Sequence, residues 1–119
     1  MQIIRKPGSS KEWEDYYHLR WEILRAPLNL DKGSEKDDLE DSATHRAVFD
    51  NEKIVGVGRL HFIDKNKAQI RYMAILEDYR GKGLGRMIVE EFAQISEKNK
   101  IFKIILYARE SVIEFYKKL

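Results

Sequence analysis

Gln69-Ile70-Arg71-Tyr72-Met73-Ala74-Ile75-Leu76-Glu77-Asp78-Tyr79-Arg80-Gly81-Lys82-Gly83-Leu84-Gly85-Arg86-Met87-Ile88-Val89 is the stretch that decides the fold. An apolar strand runs into a basic, glycine-rich turn that opens a helix. Gly81, Gly83 and Gly85 stand at alternate positions and let the backbone come close to a ligand. The first turn of the helix presents unpaired N–H groups and the positive end of its dipole. Arg80, Lys82 and Arg86 add formal charge at the same place. Together these residues read as an anion cradle.

Downstream, Leu84, Ile88, Phe92 and Ile95 recur at helical spacing, and Ile101-Phe102-Lys103-Ile104-Ile105-Leu106-Tyr107 is a near-continuous apolar strand of the kind buried on both faces. Strand, helix and strand predict a parallel pair joined by a right-handed crossover. The glycine turn then lies at the carboxyl end of the first strand, where open α/β sheets bind ligands. Upstream, the segments 46–50 and 54–62 flank Asn51-Glu52-Lys53 as a hairpin, and Asp64-Lys65-Asn66-Lys67 turns into the strand 68–76. Ile3-Ile4 reads as a short first strand. Ser9 with Glu12 forms a capping box for a helix that Pro27 stops, with Trp13, Tyr17, Trp21 and Leu24 on one stripe expected to face the core. Leu28 to Asp41 is an acidic loop. Ser111 with Glu114 reads as a second capping box, predicting a terminal helix with Val112, Phe115 and Leu119 inward. The fold class is α/β (α+β): antiparallel strands followed by a parallel β-α-β unit, in one domain over residues 1–119.

Composition bounds the chemistry. The 119 residues are 43% apolar and 35% charged, enough for one domain and too few for two. A net charge of +2 leaves no global field favouring nucleic acid, and the strands lack clustered exposed aromatic and basic pairs for RNA. The absence of cysteine removes disulfides, thiolate catalysis and cysteine-ligated zinc, and His18, His45 and His61 have no metal-ligand spacing. No Gly-x-x-x-x-Gly-Lys-Ser/Thr occurs, which argues against a P-loop enzyme. The sequence has no signal-like start and no run of the ~20 apolar residues a membrane helix needs, so a cytoplasmic protein is expected.

Arg80-x-x-Gly83-x-Gly85 between a strand and an amphipathic helix, a second strand about twenty residues on, and Phe115-Tyr116-Lys117-Lys118-Leu119 near the end resemble the GNAT N-acyltransferase superfamily. The resemblance implies a single acyl-CoA-binding domain and an acetyl-CoA-dependent N-acetyltransferase. Backbone amides of Arg80, Gly81, Lys82, Gly83, Leu84, Gly85 and Arg86 would hold the CoA pyrophosphate. It further implies a bulged strand that splays from its parallel neighbour, so that Met73, Ala74 and Ile75 offer backbone groups to the pantetheine. A primary amine would attack the thioester directly in a ternary complex.

By the same resemblance, Tyr116 would protonate the departing thiolate. Packing beside Phe115 is its alternative. His61, near the end of the neighbouring strand, has a pKa suited to accepting the amine proton, although a lone strand histidine also serves structural ends. Arg71 and Gln69 offer no base where the family sometimes supplies a carboxylate. The acidic loop either draws in a cationic amine or is a solvated face. Family members continue beyond the tyrosine helix with further strands, and Glu110 replaces their common asparagine. With the sequence ending at Leu119, the strand 101–107 is expected to be an open edge, which predicts a homodimer, a partially recorded chain or a poorly active fold. The alternative function is a non-catalytic or weakly active CoA-binding module.

Overall fold

The structure, a computed structural model, describes residues 2–108 and 111–116. Strands β1 (Gln2–Arg5), β2 (Thr44–Asp50), β3 (Lys53–Phe62), β4 (Lys67–Ile75), β5 (Lys103–Ala108) and β6 (Ser111–Tyr116) form one sheet in chain order. Only β4 and β5 run parallel; every other neighbouring pair is antiparallel. Helix α1 (Ser10–Leu24) covers one face and α2 (Leu84–Lys98) the other. The expected hairpin, the antiparallel trio and the parallel pair are all present.

The two faces follow from strand alternation. Val48, Leu60, Ala68, Ile70 and Ile104 meet Leu84, Ile88 and Phe92 of α2. Ala47, Phe49, Val57 and Ala74 meet Tyr16 and Leu19 of α1. Gly58 lets α2 approach closely, since a Cβ there would lie 2.8 Å from Ile88 Cγ2 and 3.1 Å from Phe92 Cε2. The capping box at α1 forms as read, with the Glu12 amide donating to Ser9 Oγ at 3.1 Å and Glu12 Oε1 accepting from the Ser9 amide at 3.4 Å. Arg5 reaches the same carboxylate at 2.8 Å and ties β1 to the helix start.

Three expectations are corrected. The buried residues of α1 are Tyr16, Leu19 and Arg20, while Trp13, Tyr17 and Trp21 are only partly covered. A buried arginine shifts the inward face away from the aromatic stripe, because ion pairs from a distant loop decide which side of the helix is enclosed. Residues 111–116 form strand β6 instead of a terminal helix, pairing Ser111 with Ala108 and Tyr116 with Lys103. The open edge of β5 outweighs the local capping signal, since each pairing satisfies ladder groups that a helix would leave bare. Consequently β5 is an interior strand, and the expected homodimer loses the exposed edge on which it was built. Glu110 and residues 117–119 lie outside the described residues.

Candidate active site

The cradle forms where the sequence places it. After β4 ends at Ile75, Leu76 leads into a single 3₁₀ turn at Glu77–Tyr79, and Gly83 caps α2 with φ +82°, preceded by Gly81 at φ +76°. Both glycines occupy left-handed backbone, which other residues adopt at a cost of roughly 1–2 kcal/mol. A Cβ at either would meet no atom within 4 Å, so the space in front of the turn is open. No side chain caps α2, and among the described residues the amides of residues 81–86 have no protein acceptor. Leu84 is buried and anchors the turn to the core. The arrangement is an N-terminal dipole with free donors and room for a diphosphate.

Strand β4 is bulged beside it. Arg59 pairs with Arg71 and Val57 with Ala74, so two steps along β3 match three along β4. The extra residue is Tyr72, with φ +54°, a strained setting for an aromatic side chain. The bulge puts Arg71 and Tyr72 on the same side of the sheet. Pairing of β4 with β5 ends at Ile70 and Leu106, so the two strands are unpaired beyond that point. The Leu76 amide donates to the Val55 carbonyl at 2.9 Å, and Ala74 is registered with Val57, so alternation turns Ile75 and Met73 outward, toward the gap. The Ile75 carbonyl accepts from Arg80 Nε at 3.1 Å on that open side.

A buried polar network holds the bulge. The guanidinium carbons of Arg20 and Arg59, both fully buried residues, lie 4.5 and 4.7 Å from the centre of the Tyr72 ring. The ring face offers a π-acceptor to N–H groups of Arg20 and Arg59 that lack a conventional partner. Arg20 Nη1 donates to Glu40 Oε1 at 2.9 Å, and Arg59 Nη1 donates to Glu40 Oε2 at 2.8 Å and to Asp37 Oδ1 at 2.6 Å. The Tyr72 hydroxyl donates to Asp37 Oδ2 at 3.2 Å. The Arg59 guanidinium, aided by the Leu39 amide, holds the Asp37 carboxyl well below the usual carboxylate range against the opposing effect of burial. The acidic loop is therefore neither a solvated face nor a free lure for cations at these positions. Two of its carboxylates neutralise arginines of α1 and β3, and Glu35 is buried.

A cavity of about 940 Å³ opens between the end of α1 and the bulge, lined among others by Leu24, Arg25, Arg71, Tyr72, Met73 and Arg80. Leu28 at the start of the acidic loop lines it, but none of the loop's carboxylates does. Met73 touches both the cavity and the α2 start, its Cε lying 3.9 Å from where a Gly85 Cβ would sit. Met73 and Arg80 line this cavity and Arg80 also holds the Ile75 carbonyl, whereas neither Ile75 nor residues 81–86 line it. Ala74 turns its backbone groups to β3 instead. Of the cations, Arg80 is tied to β4, Lys82 lies over the Tyr79 ring at 5.7 Å, and Arg86 pairs with Glu90 in solvent at 3.0 Å. His61 is opposite Gln69 and does not line the cavity. The register sets Tyr116 beside Lys103, at the end of β5 remote from the splay. Arg20 and Arg59 are not singled out by the sequence reading, although polar side chains inside otherwise apolar patterns were an available signal; Tyr72, open from the sequence as a proton acceptor through water, is instead the residue at the bulge.

The model of the acetyltransferase (GNAT) family matches residues 12–119. The chain belongs to this family. It is 27% identical over 110 residues to an uncharacterized N-acetyltransferase, YjcF, of Bacillus subtilis strain 168, covering 92% of this chain and 78% of that one. An uncharacterized protein, YyaT, of the same strain is 29% identical over 89 residues, 75% of this chain and 60% of that one. Among solved structures, a GNAT acetyltransferase of Elizabethkingia anophelis with acetyl-CoA bound superposes with a TM-score of 0.64 at 13% identity, over 93% of this chain and 67% of its own. No helix among the described residues is long and apolar enough to cross a membrane.

Within this GNAT chain, one buried histidine makes the loop pH-sensitive. His45 is 4% exposed, with Nε2 2.8 Å from the Glu40 carbonyl and Nδ1 2.8 Å from the Tyr16 hydroxyl. The carbonyl can only accept, so Nε2 carries the proton of the neutral ring. Burial first, and the charges of Arg20 and Arg59 next, lower its pKa, outweighing the pull of Glu40. A depressed histidine leaves the unfolded chain binding more protons, so stability is intact above the unfolded value of ~6.5 and declines as pH falls below it. Asp37 adds a second decline below ~4 for the same reason of sign. Urea titrations at stepped pH are expected to show both declines, and His45→Gln is expected to remove the upper one.

Proposed function

We propose that this chain is an acetyl-CoA-dependent N-acetyltransferase that moves acetyl to a primary amine by direct attack in a ternary complex. The observation that carries the reading is the set of acceptor-free amides of residues 81–86 beside a β4 edge left unpaired beyond Ile70. These residues fit CoA. The open space before Gly81 and Gly83 accommodates a diphosphate, and the outward groups of Met73 and Ile75 suit an extended pantetheine amide. When bound, acetyl-CoA supplies an activated thioester carbonyl. The chain then has to position the amine in the cavity at Met73, exclude water, and offer an outward backbone N–H of β4 to developing oxyanion charge. Arg80 has to share or release the Ile75 carbonyl as the strand edge fills.

His61 does not line the cavity. Tyr116 is the residue that the resemblance offers to the leaving thiolate, and strand β6 gives it no support. The discriminating variant is Tyr116→Phe, assayed by thiol release from acetyl-CoA over an amine panel. Release within about threefold of the unaltered protein is expected from β6 as described. A loss of ~10²–10⁴, the usual worth of general acid help, would return the role to Tyr116 and mean that the segment 111–116 leaves β5 during turnover.

Calorimetry with acetyl-CoA, CoA and dephospho-CoA tests the reading as a whole. Binding followed by amine-dependent thiol release supports the transferase. Binding without release selects a CoA-binding module, and absence of binding removes both.

A further inference from the structure

Building on the transferase reading, we propose that Tyr79 is a positioning residue whose bond to Asp50 sets where the amides of residues 81–86 stand for the cofactor's diphosphate. The Tyr79 hydroxyl donates to Asp50 Oδ2 at 2.7 Å, the length of a charge-assisted bond. Asp50 closes β2 on a well-held hairpin. It is registered with Gln2 of β1 and with Lys53 of β3, and its neighbour Phe49 is fully buried. The Tyr79 ring is half-buried and packs against the core beneath α2, so the side chain is a stiff strut between that core and the hairpin. The Asp50 carboxylate raises the pKa of the phenol, which keeps the donor protonated at any pH near neutrality.

The turn has few other holds. Between the end of β4 and the buried Leu84, Gly81 and Gly83 bring no side chain, and Glu77, Asp78 and Lys82 are exposed. Among the described residues, two side-chain hydrogen bonds tie residues 77–83 to the sheet: Tyr79 to Asp50, and Arg80 Nε to the Ile75 carbonyl. They reach β2 and β4, the strands on either side of β3, at the end of the sheet where both finish. The Arg80 tie lies on the strand edge that suits pantetheine, and it has to yield or be shared as that edge fills. The Tyr79 tie lies two strands away and keeps its partner throughout. Lys82 Nζ, 5.7 Å from the centre of the Tyr79 ring, is guided by the same side chain. Tyr79 thus acts through the turn and needs no contact with the ligand.

The test is calorimetric titration of acetyl-CoA into Tyr79→Phe, Asp50→Ala, Asp50→Asn and the Tyr79→Phe/Asp50→Ala double variant, each held well below its own melting temperature. Tyr79→Phe and Asp50→Ala are each expected to weaken binding by about tenfold, the order of effect of one charge-assisted hydrogen bond. Adding Tyr79→Phe to Asp50→Ala is expected to cost less than about twofold more, because both remove one interaction. Asp50→Asn, whose amide oxygen still accepts from the phenol, is expected to stay within about threefold of the unaltered protein. In the cofactor-free proteins, the amide resonances of Gly81 and Gly83 are expected to move in Tyr79→Phe and Asp50→Ala and to hold in Asp50→Asn. A folded Tyr79→Phe with undiminished affinity, additive losses in the double variant, absence of rescue by Asp50→Asn, or unmoved glycine resonances overturns the proposal. Failure of the unaltered protein to bind acetyl-CoA overturns the transferase reading instead, and the glycine resonances then decide by themselves whether Tyr79 places the turn.

Discussion

Gly83→Val is expected to reduce acetyl-CoA affinity by about 100-fold or more while the domain stays folded. Two effects act together. At φ +82° a β-branched residue is strained, and the local relief is a rotation of the turn that swings the amides of residues 84–86 away from their common focus. If the turn holds, the new side chain occupies the open space in front of those amides, where no protein atom lies within 4 Å of a Cβ, the volume that a diphosphate needs. Each route removes several charge-assisted hydrogen bonds of roughly 1.5–3 kcal/mol. The folding penalty is smaller, about 1–2 kcal/mol for one residue in left-handed backbone. Thermal unfolding and cofactor titration on the same sample separate the two effects. Undiminished affinity in a folded variant would mean that the cradle lies elsewhere.

Glu40→Ala is expected to be the most destabilising polar substitution, by about 3–5 kcal/mol, because it strands two buried guanidiniums at once. Glu40 Oε1 accepts from Arg20 at 2.9 Å and Oε2 from Arg59 at 2.8 Å, both arginines being fully inaccessible, and Oε2 also accepts from the Asp37 amide at 3.0 Å. Asp37 then has to balance Arg59 alone, and Arg20 keeps only its bonds to the Tyr16 hydroxyl and the Glu35 carbonyl. Against a typical domain stability of roughly 5–15 kcal/mol, that loss shifts the urea midpoint far. The exposed Arg86–Glu90 pair supplies the contrast: its loss through Glu90→Ala is expected to change stability by less than about 0.5 kcal/mol. Comparable midpoints for the two variants would show that the network contributes little. Because Tyr72 depends on Asp37 and on both arginines, Glu40→Ala is also expected to loosen the β4 bulge and with it the cavity wall.

The sequence by itself determined the features written in short-range chemistry. Gly81 and Gly83 permit left-handed backbone whatever surrounds them, Ser9 and Glu12 cap α1 within one turn, and the spacing of Leu84, Ile88 and Phe92 gives α2 an apolar face before any sheet exists to receive it. The antiparallel trio and the parallel pair followed from those local signals and from the handedness of crossovers. The tertiary structure decided whatever depended on a distant partner. Tyr72 enters the left-handed region because arginines from α1 and β3 and a carboxylate from the loop enclose it, contacts 13 to 52 positions away along the chain. The inward face of α1 is set by Glu40, twenty residues beyond Arg20, and not by the aromatic stripe. Residues 111–116, which carry a helix signal of their own, pair with β5 because ladder hydrogen bonds along a strand outweigh one capping box. Local pattern fixes what a segment tends to be; long-range charge pairing and strand pairing fix which side it buries and which form it keeps.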